Sequence, residues 1–379
     1  APPHPIPHRR VHRIDPPSIR PSTEMSEIAV LGMGNPLLDI IADVTPDFLD
    51  SYGIKPNNAI LAEEKHLPIY ADMDAKFSVT YVAGGATLNA IRVCQALLGR
   101  PKGTAYIGCI GKDNYGSVMK GIASKEGFIP LFAESDKNPT GSCAVPVVSG
   151  ERSLVANIAA ANDYPIDHLK YKVWEQVEKA KICYSASFFL TVNPPAMLAM
   201  ADHCAKTNKL YCMNLSAPFL IEFFREPMMQ VMPYVDILFG NESECAHFGK
   251  VHGIETTDNV AIAKKIAEMP KVNHKRPRMV VVTQGSESTI VATQWKGAGV
   301  KVTTSPVEPL ERSKLVDTNG AGDAFVGGFL YGLAIDKDLD FCVFMAHYAA
   351  RHVIQRSGCT FDFTGEIAQI TNMLNGVPN

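Results

Sequence analysis

The sequence predicts an α/β fold: a doubly wound, mostly parallel sheet with a smaller, discontinuous β-rich lid. Three observations carry that expectation. Six short apolar runs alternate with longer stretches of helical period. Two extended-looking stretches interrupt the alternation. One glycine-containing turn opens directly into an apolar helix.

Residues 1–24, APPHPIPHRRVHRIDPPSIRPSTE, hold seven prolines among histidines and arginines and lack apolar periodicity. Such a segment cannot offset its ordering entropy by burial, so it is expected to be disordered. Met25 follows, and the segment reads as an appended leader, with a basic targeting sequence as the alternative. Residues 25–379 are then one domain.

The predicted core strands are IAVLGM (28–33), AYIGCI (105–110), KICYSA (181–186), LYCMNL (210–215), the run 235–239 and MVVVT (279–283). Near-continuous apolar runs of this length suit strands covered on both faces. Ala86, Ala90, Val93 and Leu97 recur at helical spacing and stop at Gly99, which predicts a helix with a left-handed terminator. Residues 36–85 and 137–162 break the rhythm and read as extended, hairpin-ordered segments, with a turn at Ser149 and Gly150. These are the two parts of the expected lid.

Composition narrows the function. With 46% apolar residues in 379, the chain can bury a large core. Lys and Arg number 36 against 39 Asp and Glu, a net charge of −3, so no broad basic field exists for nucleic acid or an anionic membrane. Phosphate recognition must be local. The run from Phe188 to Met200 is broken by Pro194 and Pro195, short of the roughly 18 to 20 residues of a spanning helix. Nine scattered cysteines without a Cys-x-x-Cys pair fit reduced thiols better than a disulfide framework or a zinc module. The Asn-x-Ser triplets at Asn214 and Asn241 are read as coincidental for glycosylation.

The chemistry concentrates in DTNGAGDAFVGGFLYGLA, residues 317–334. At a helix start the first N–H groups lack intrahelical partners, and Gly320, Ala321 and Gly322 are small enough for a phosphoryl group to approach. Asp323 stands in the same turn, where the dipole favours its carboxylate as a proton acceptor. The bland alternative is a capping aspartate, with Gly328 and Gly332 serving close helix packing. Gly32-x-Gly34 lacks the third glycine of a dinucleotide fingerprint, and Gly111-Lys112 lacks the flanks of a P-loop. A second carboxylate, Asp39, lies inside the apolar LLDII, where it is costly unless partnered, and a cis-diol is a fitting partner.

DTNGAGDAFVGGF resembles the C-terminal signature of the ribokinase-like carbohydrate and nucleoside kinases. GMGNPLLDI (32–40), AGGATLNA (83–90), RSLVANIAAAN (152–162), FFLTV (188–192), NLSAPF (214–219), PYVDILFGNESE (233–244) and HYAA (347–350) resemble the adenosine-phosphorylating branch of that family. The resemblance implies a ribokinase-like fold with ATP as co-substrate, Mg²⁺, optionally a monovalent cation, and adenosine as acceptor in purine salvage. It further implies a monomer in the cytoplasm, with the nucleus as a second compartment, and no nucleic-acid or membrane partner.

Residue by residue, the resemblance implies that Asp39 holds the ribose diol, with Asn35, Gly84, Gly85 and Asn89 nearby. Phe188 and Phe189 would cover the adenine, with Leu61, Cys143, Leu154 and Ala156 around it. Arg152 would reach the transferring phosphoryl group, Thr283, Gly285, Asn319 and His347 would line the ATP side, and Asn241 and Glu244 would handle Mg²⁺ through water, with Glu242 able to share that role. Where many relatives have Ser after Gly-Gly, this chain has Ala86, so one hydroxyl contact to the acceptor is missing. A same-fold sugar kinase and a catalytically silent purine-binding protein are the competing readings. A sugar site would be lined with polar groups; a silent protein would not need Asp323 behind Gly-Ala-Gly.

Overall fold

The computed structural model describes residues 28–55, 59–148, 151–295 and 299–365; the Pro-rich leader and the turn at Ser149 and Gly150 lie outside these. In chain order the strands are β1 (Ile28–Met33), β2 (Leu37–Asp43), β3 (Ala59–Leu61), β4 (Thr80–Gly84), β5 (Thr104–Gly111), β6 (Ile129–Ser135), β7 (Ser142–Val148) and β8 (Glu151–Arg152). There follow β9 (Leu154–Asn157), β10 (Ala180–Ala186), β11 (Leu210–Asn214), β12 (Ile237–Asn241), β13 (Met279–Gln284), β14 (Glu287–Trp295) and β15 (Gly299–Ser305). The six expected runs are β1, β5, β10, β11, β12 and β13. β6, β14 and β15 lie outside those runs. Pro130 interrupts the first, and β15 alternates exposed with half-buried residues instead of forming an apolar run.

The main sheet has the order β15-β14-β13-β12-β11-β10-β1-β5-β6. From β13 to β6 every neighbour pairs parallel, while β14 and β15 append an antiparallel edge. The order turns back at β1, whose neighbours are β10 and β5. At such a reversal the crossover connections leave in opposite directions, and a crevice opens at the carboxyl ends of the strands. β1 is buried along its whole length: Val30 faces one apolar core, and Leu31 and Met33 the other.

The first core contains the helices Ala86–Leu98, Ala321–Ala334 and Leu339–Val353. Their approach is set by glycine. A Cβ on Gly328 would come within 2.2 Å of the Met345 carbonyl oxygen, and one on Gly332 within 2.8 Å of Cys342 Sγ. Gly32 and Gly34 serve packing too, since side chains there would strike Ile91 and Thr87 of the Ala86–Leu98 helix. That helix ends as expected, at Gly99 with φ 62°.

The second sheet has the order β3-β9-β7-β2-β4, with β8 paired to β7. Its strands fall within the two stretches that broke the sequence rhythm, but the first stretch is not extended throughout. The helices Pro46–Ser51 and Ile69–Lys76 lie inside it. Thr45 caps the first by accepting from the Phe48 N–H, with Pro46 at the first turn. Phe48, Leu49, Ile69, Tyr70 and Met73 then bury one face of the sheet together with Ile40 and Ala42. These helices are too short to show a clear period in sequence. Alternation along β2 leaves Leu37, Asp39 and Ile41 on the other, partly open face.

Candidate active site

The carboxyl ends of β11, β12 and β13 supply Asn214, Asn241 and Thr283 to one cavity of about 170 Å³, which Phe188, just past β10, also lines. The rest of its wall includes Ala86, Ser216, Glu244, Gly322, Asp323 and Phe325. Gly320 precedes the Ala321–Ala334 helix with φ 77°, and no side chain caps the helix start. Gly320 also packs tightly, since a Cβ there would lie 2.9 Å from Cys359 Cβ. At Gly322 a Cβ would meet nothing within 4 Å, so the approach to this helix start is open. An uncapped, unobstructed helix N-terminus in a cavity is suited to an anion.

Asp323 does not cap its own helix; the hydrogen bond it accepts comes from Asn89 Nδ2 at 3.0 Å. Burial raises its pKa to about 7, the Asn89 hydrogen bond opposes the rise, and Glu244 adds to it. Against the expectation that the helix dipole holds this carboxylate ionised, burial moves it toward the protonated form. Asp39 is raised to about 7 as well, by burial, with Arg92 opposing, Asp323 adding and Arg152 opposing. Gly84 makes room for it: a Cβ there would fall 2.4 Å from Asp39 Oδ1. Gly85, with φ 97°, admits the Asn35 carbonyl, which a Cβ would meet at 2.2 Å.

Sheet register explains which of the expected acceptor-side residues meet. Asp39 pairs with Cys143, Cys143 with Ala156, and Ala156 with Leu61, one row across four strands of the second sheet. Leu154 is two residues before Ala156 and shares its face. Leu61 is 66% exposed at the end of the row. On the opposite wall Asn35 Nδ2 donates to the Phe188 carbonyl at 3.4 Å, while Asn35 Oδ1 is buried with no partner. A buried acceptor of this kind suits a ligand hydroxyl.

Phe188 lines the cavity, with its ring 6.2 Å from that of Phe219. Phe189 does not. It is fully buried in the second core, 5.5 Å from Tyr164, because consecutive residues of the Ser187–Thr191 3₁₀ turn point in different directions. On the expected ATP side only Thr283 borders the cavity. Gly285 forms the turn between β13 and β14 with φ 56°. Asn319 N–H donates to Asp317 Oδ1 at 2.9 Å, and His347 Nε2 hydrogen-bonds Thr289 Oγ1 at 2.8 Å beside Phe325.

Arg152 is engaged with a residue that the sequence reading left unassigned. Its Nη1 donates to Asp317 Oδ2 at 2.8 Å, and the two side chains are 11% and 5% exposed. Asn214 and Ser216 line the cavity without an expected role; Ser216 has φ 69°, one of five non-glycine residues with positive φ among the described residues.

Asn241 and Glu244 largely satisfy each other. Asn241 Oδ1 accepts from the Glu244 N–H at 2.8 Å, and Glu244 accepts from the Asn241 N–H and Nδ2 at 3.0 and 2.8 Å. This capping box explains why the helix Glu242–Val251 starts here. No group of three metal-ligating side chains occurs among the described residues. The oxygen donors at the cavity fit a hard cation that keeps its water, since direct ligation would break the box.

A model of the pfkB family of carbohydrate kinases matches residues 47–364. The chain is 52% identical over 333 residues to adenosine kinase 2 of Arabidopsis thaliana, covering 88% of this chain and 95% of that one. It is 41% identical to the adenosine kinase of Schizosaccharomyces pombe over 339 residues, 89% and 97% of the two chains. Among solved structures it resembles Anopheles gambiae adenosine kinase in complex with P1,P4-di(adenosine-5) tetraphosphate, with a TM-score of 0.79, 43% identity and coverage of 88% and 97%. The Schistosoma mansoni adenosine kinase in complex with 2-fluoroadenosine gives a TM-score of 0.80, 38% identity and coverage of 89% and 98%.

Proposed function

Because the chain belongs to the pfkB family of carbohydrate kinases, we infer that its activity is that of an adenosine kinase, moving the γ-phosphoryl group of ATP to the 5′-hydroxyl of adenosine to give AMP and ADP. The observation that carries this reading is Asp323 at an open, uncapped helix start, in a cavity walled on its other side by Phe188. The former suits phosphoryl transfer, the latter a flat apolar purine face.

Asp323 accepts the proton of the 5′-hydroxyl as the oxygen attacks phosphorus. A carboxylate poised near 7 is well matched to that task, being ionised in a substantial fraction at neutral pH yet basic enough to take a proton. The Gly320 and Gly322 amides face the charge that builds on the phosphoryl oxygens, the Ala321 N–H, which donates to the Thr318 carbonyl at 3.2 Å, joins them only by leaving that bond, and Arg152 adds a fixed positive charge. Asn241 and Glu244 would hold the water shell of Mg²⁺, which would neutralise phosphate charge. Asp39 takes the ribose diol, Asn35 and Asn89 flank it, and Leu61, Cys143, Leu154 and Ala156 present the second sheet to the nucleoside. Closing that sheet over the cleft as a lid excludes water from the γ-phosphate. Thr283, Gly285, Asn319 and His347 remain assigned to the ATP side. A monomer in the cytoplasm completes the reading, in keeping with nine unpaired cysteines.

Initial rates of ADP formation with adenosine, inosine, ribose and fructose test it. Adenosine is expected to be the preferred acceptor. Faster turnover of ribose or fructose makes the chain a sugar kinase, and nucleoside binding without ADP formation makes it a silent binding protein. Asp39→Ala should weaken adenosine binding by ~1.5–3 kcal/mol through lost charge-assisted hydrogen bonds. Gly84→Ala should act in the same direction by displacing the Asp39 carboxylate. Calorimetric titration measures both, and unchanged affinity in either folded variant counts against Asp39 as the diol ligand.

A further inference from the structure

Arg92 stands in the middle of the apolar Ala86–Leu98 helix, only 5% exposed, and nothing in the phosphoryl-transfer scheme above uses it. Its Nε and Nη2 form a bidentate pair with Glu126 at 2.7 and 2.6 Å. Nη1 donates to the carbonyls of Ala83 at 2.6 Å and Cys359 at 3.2 Å, and to Asn89 Oδ1 at 3.4 Å. The guanidinium also lies 5.2 Å from the centre of the Phe361 ring. Three of these contacts lead to a wall of the cleft. Ala83 precedes Gly84, on which Asp39 rests; Cys359 is packed against Gly320; and Asn89 hydrogen-bonds Asp323.

The contact with Asn89 is the longest of the set, but it fixes a direction. A guanidinium has only donors, and a carboxylate only acceptors. With Arg92 on one side and Asp323 on the other, the Asn89 amide has one favourable orientation, oxygen toward Arg92 and NH₂ toward Asp323. Turned over, it would set its NH₂ against the guanidinium and its oxygen against the carboxylate. We propose that Arg92 is a positioning residue for the catalytic base: held by Glu126, it orients the Asn89 amide onto Asp323 and ties the Ala83 and Cys359 backbones to the same point. The proposal rests on Asp323 being the base.

The charged and titratable groups around Asp323 are Glu244, Asp39, Tyr184 and Cys359, with Arg92 behind Asn89. Any change at Arg92 also alters the field at Asp39, so the test reads coupling to Asn89 instead of a titration. Arg92→Met combined with Glu126→Leu removes both charges of the buried pair and strands neither. Arg92→Lys keeps the charge, but one ammonium cannot serve Glu126 and Asn89 together, and the carboxylate wins it.

In the folded full-length protein, both changes are expected to lower kcat for adenosine about 10- to 100-fold, as loss of an orienting partner does elsewhere, with a smaller change in KM. In an Asn89→Ala background the same replacements should cost much less, because the group they act through is gone. Wild-type kcat in either folded variant overturns the proposal, and so does an equal loss with and without Asn89. If the double variant does not fold, Arg92→Lys alone decides. Asp323→Asn, run in the same assay, separates the two layers. If it turns over normally, the base assignment fails; if it is inert while the Arg92 variants keep full kcat, only the role of Arg92 fails.

Discussion

Asp323→Asn should slow adenosine phosphorylation by ~10²- to 10⁴-fold, the usual cost of removing a general base, while leaving adenosine affinity within a few-fold of wild type. The ribose hydroxyl is a very weak acid and loses its positioned acceptor, whereas the Gly322 opening, the Asp39 row and Phe188 remain in place. Stability should move the other way. The folded pKa of Asp323 is raised, from 3.8 to about 7. Above pH 4 the unfolded chain has released the proton while the folded one still holds it. The wild type therefore keeps the full stability associated with this group below pH 4 and loses it as pH rises through 7. An amide has no such dependence.

At pH 8 the variant should be more stable than wild type by on the order of 1–3 kcal/mol, below the full linkage value because water in the cleft still reaches the carboxylate. Urea denaturation at pH 5 and pH 8 measures the difference, which should shrink at the lower pH. A capping aspartate predicts the opposite, a loss of roughly 0.5–2 kcal/mol with near-normal turnover. The wild-type rate should also fall on acidification with a midpoint near 7, where an unperturbed aspartate would give one near 4.

This site was legible in the sequence where its geometry is local. Gly320, Ala321, Gly322 and Asp323 are consecutive, so a turn followed by an apolar helix already places a carboxylate beside an open helix start. The doubly wound sheet was equally plain, because strands buried on both faces must be apolar throughout. The row of Asp39, Cys143, Ala156 and Leu61 is different. It exists through the register of four strands, which spacing along the chain does not encode, and the resemblance alone grouped those residues.

Other misses have equally physical causes. Phe188 and Phe189 are chemically identical neighbours, and only the 3₁₀ turn decides which one reaches the cavity. A helix start favours the Asp323 carboxylate, but burial acts the other way, and burial is set by the tertiary fold and not by the local sequence. Arg92 breaks an apolar helical face, which marks it as a buried charge in need of partners. Those partners, at Glu126 and Cys359, lie 34 and 267 residues away.

Arg152→Ala should lower kcat by ~10²- to 10³-fold, the range seen when a donor to a developing anion is removed, with adenosine affinity little changed. Arg152 is held against Asp317 in this structure, and the question is whether that pair is its purpose. Asp317 does not depend on it, since Oδ1 accepts from the Asn319 N–H and Oδ2 from the Gly358 N–H, each at 2.9 Å. Arg152 can thus exchange one anionic partner for another without leaving a buried carboxylate bare. A phosphoryl group at the helix start offers more negative charge than Asp317 and accepts a guanidinium fork bidentately.

Asp317→Asn discriminates between the roles. If Arg152 acts on the phosphoryl group, breaking the pair from the Asp317 side leaves the guanidinium available, and the loss in kcat should be far smaller than in Arg152→Ala. Arg152→Lys should fall between them, because a point charge replaces the fork. If the pair instead serves only to pin the second sheet to the loop, both partners should cost the same in turnover and in denaturation midpoint. Equal losses from the two sides would remove Arg152 from the chemistry and leave Gly320 to Gly322 as the principal anion-stabilising groups of the chain.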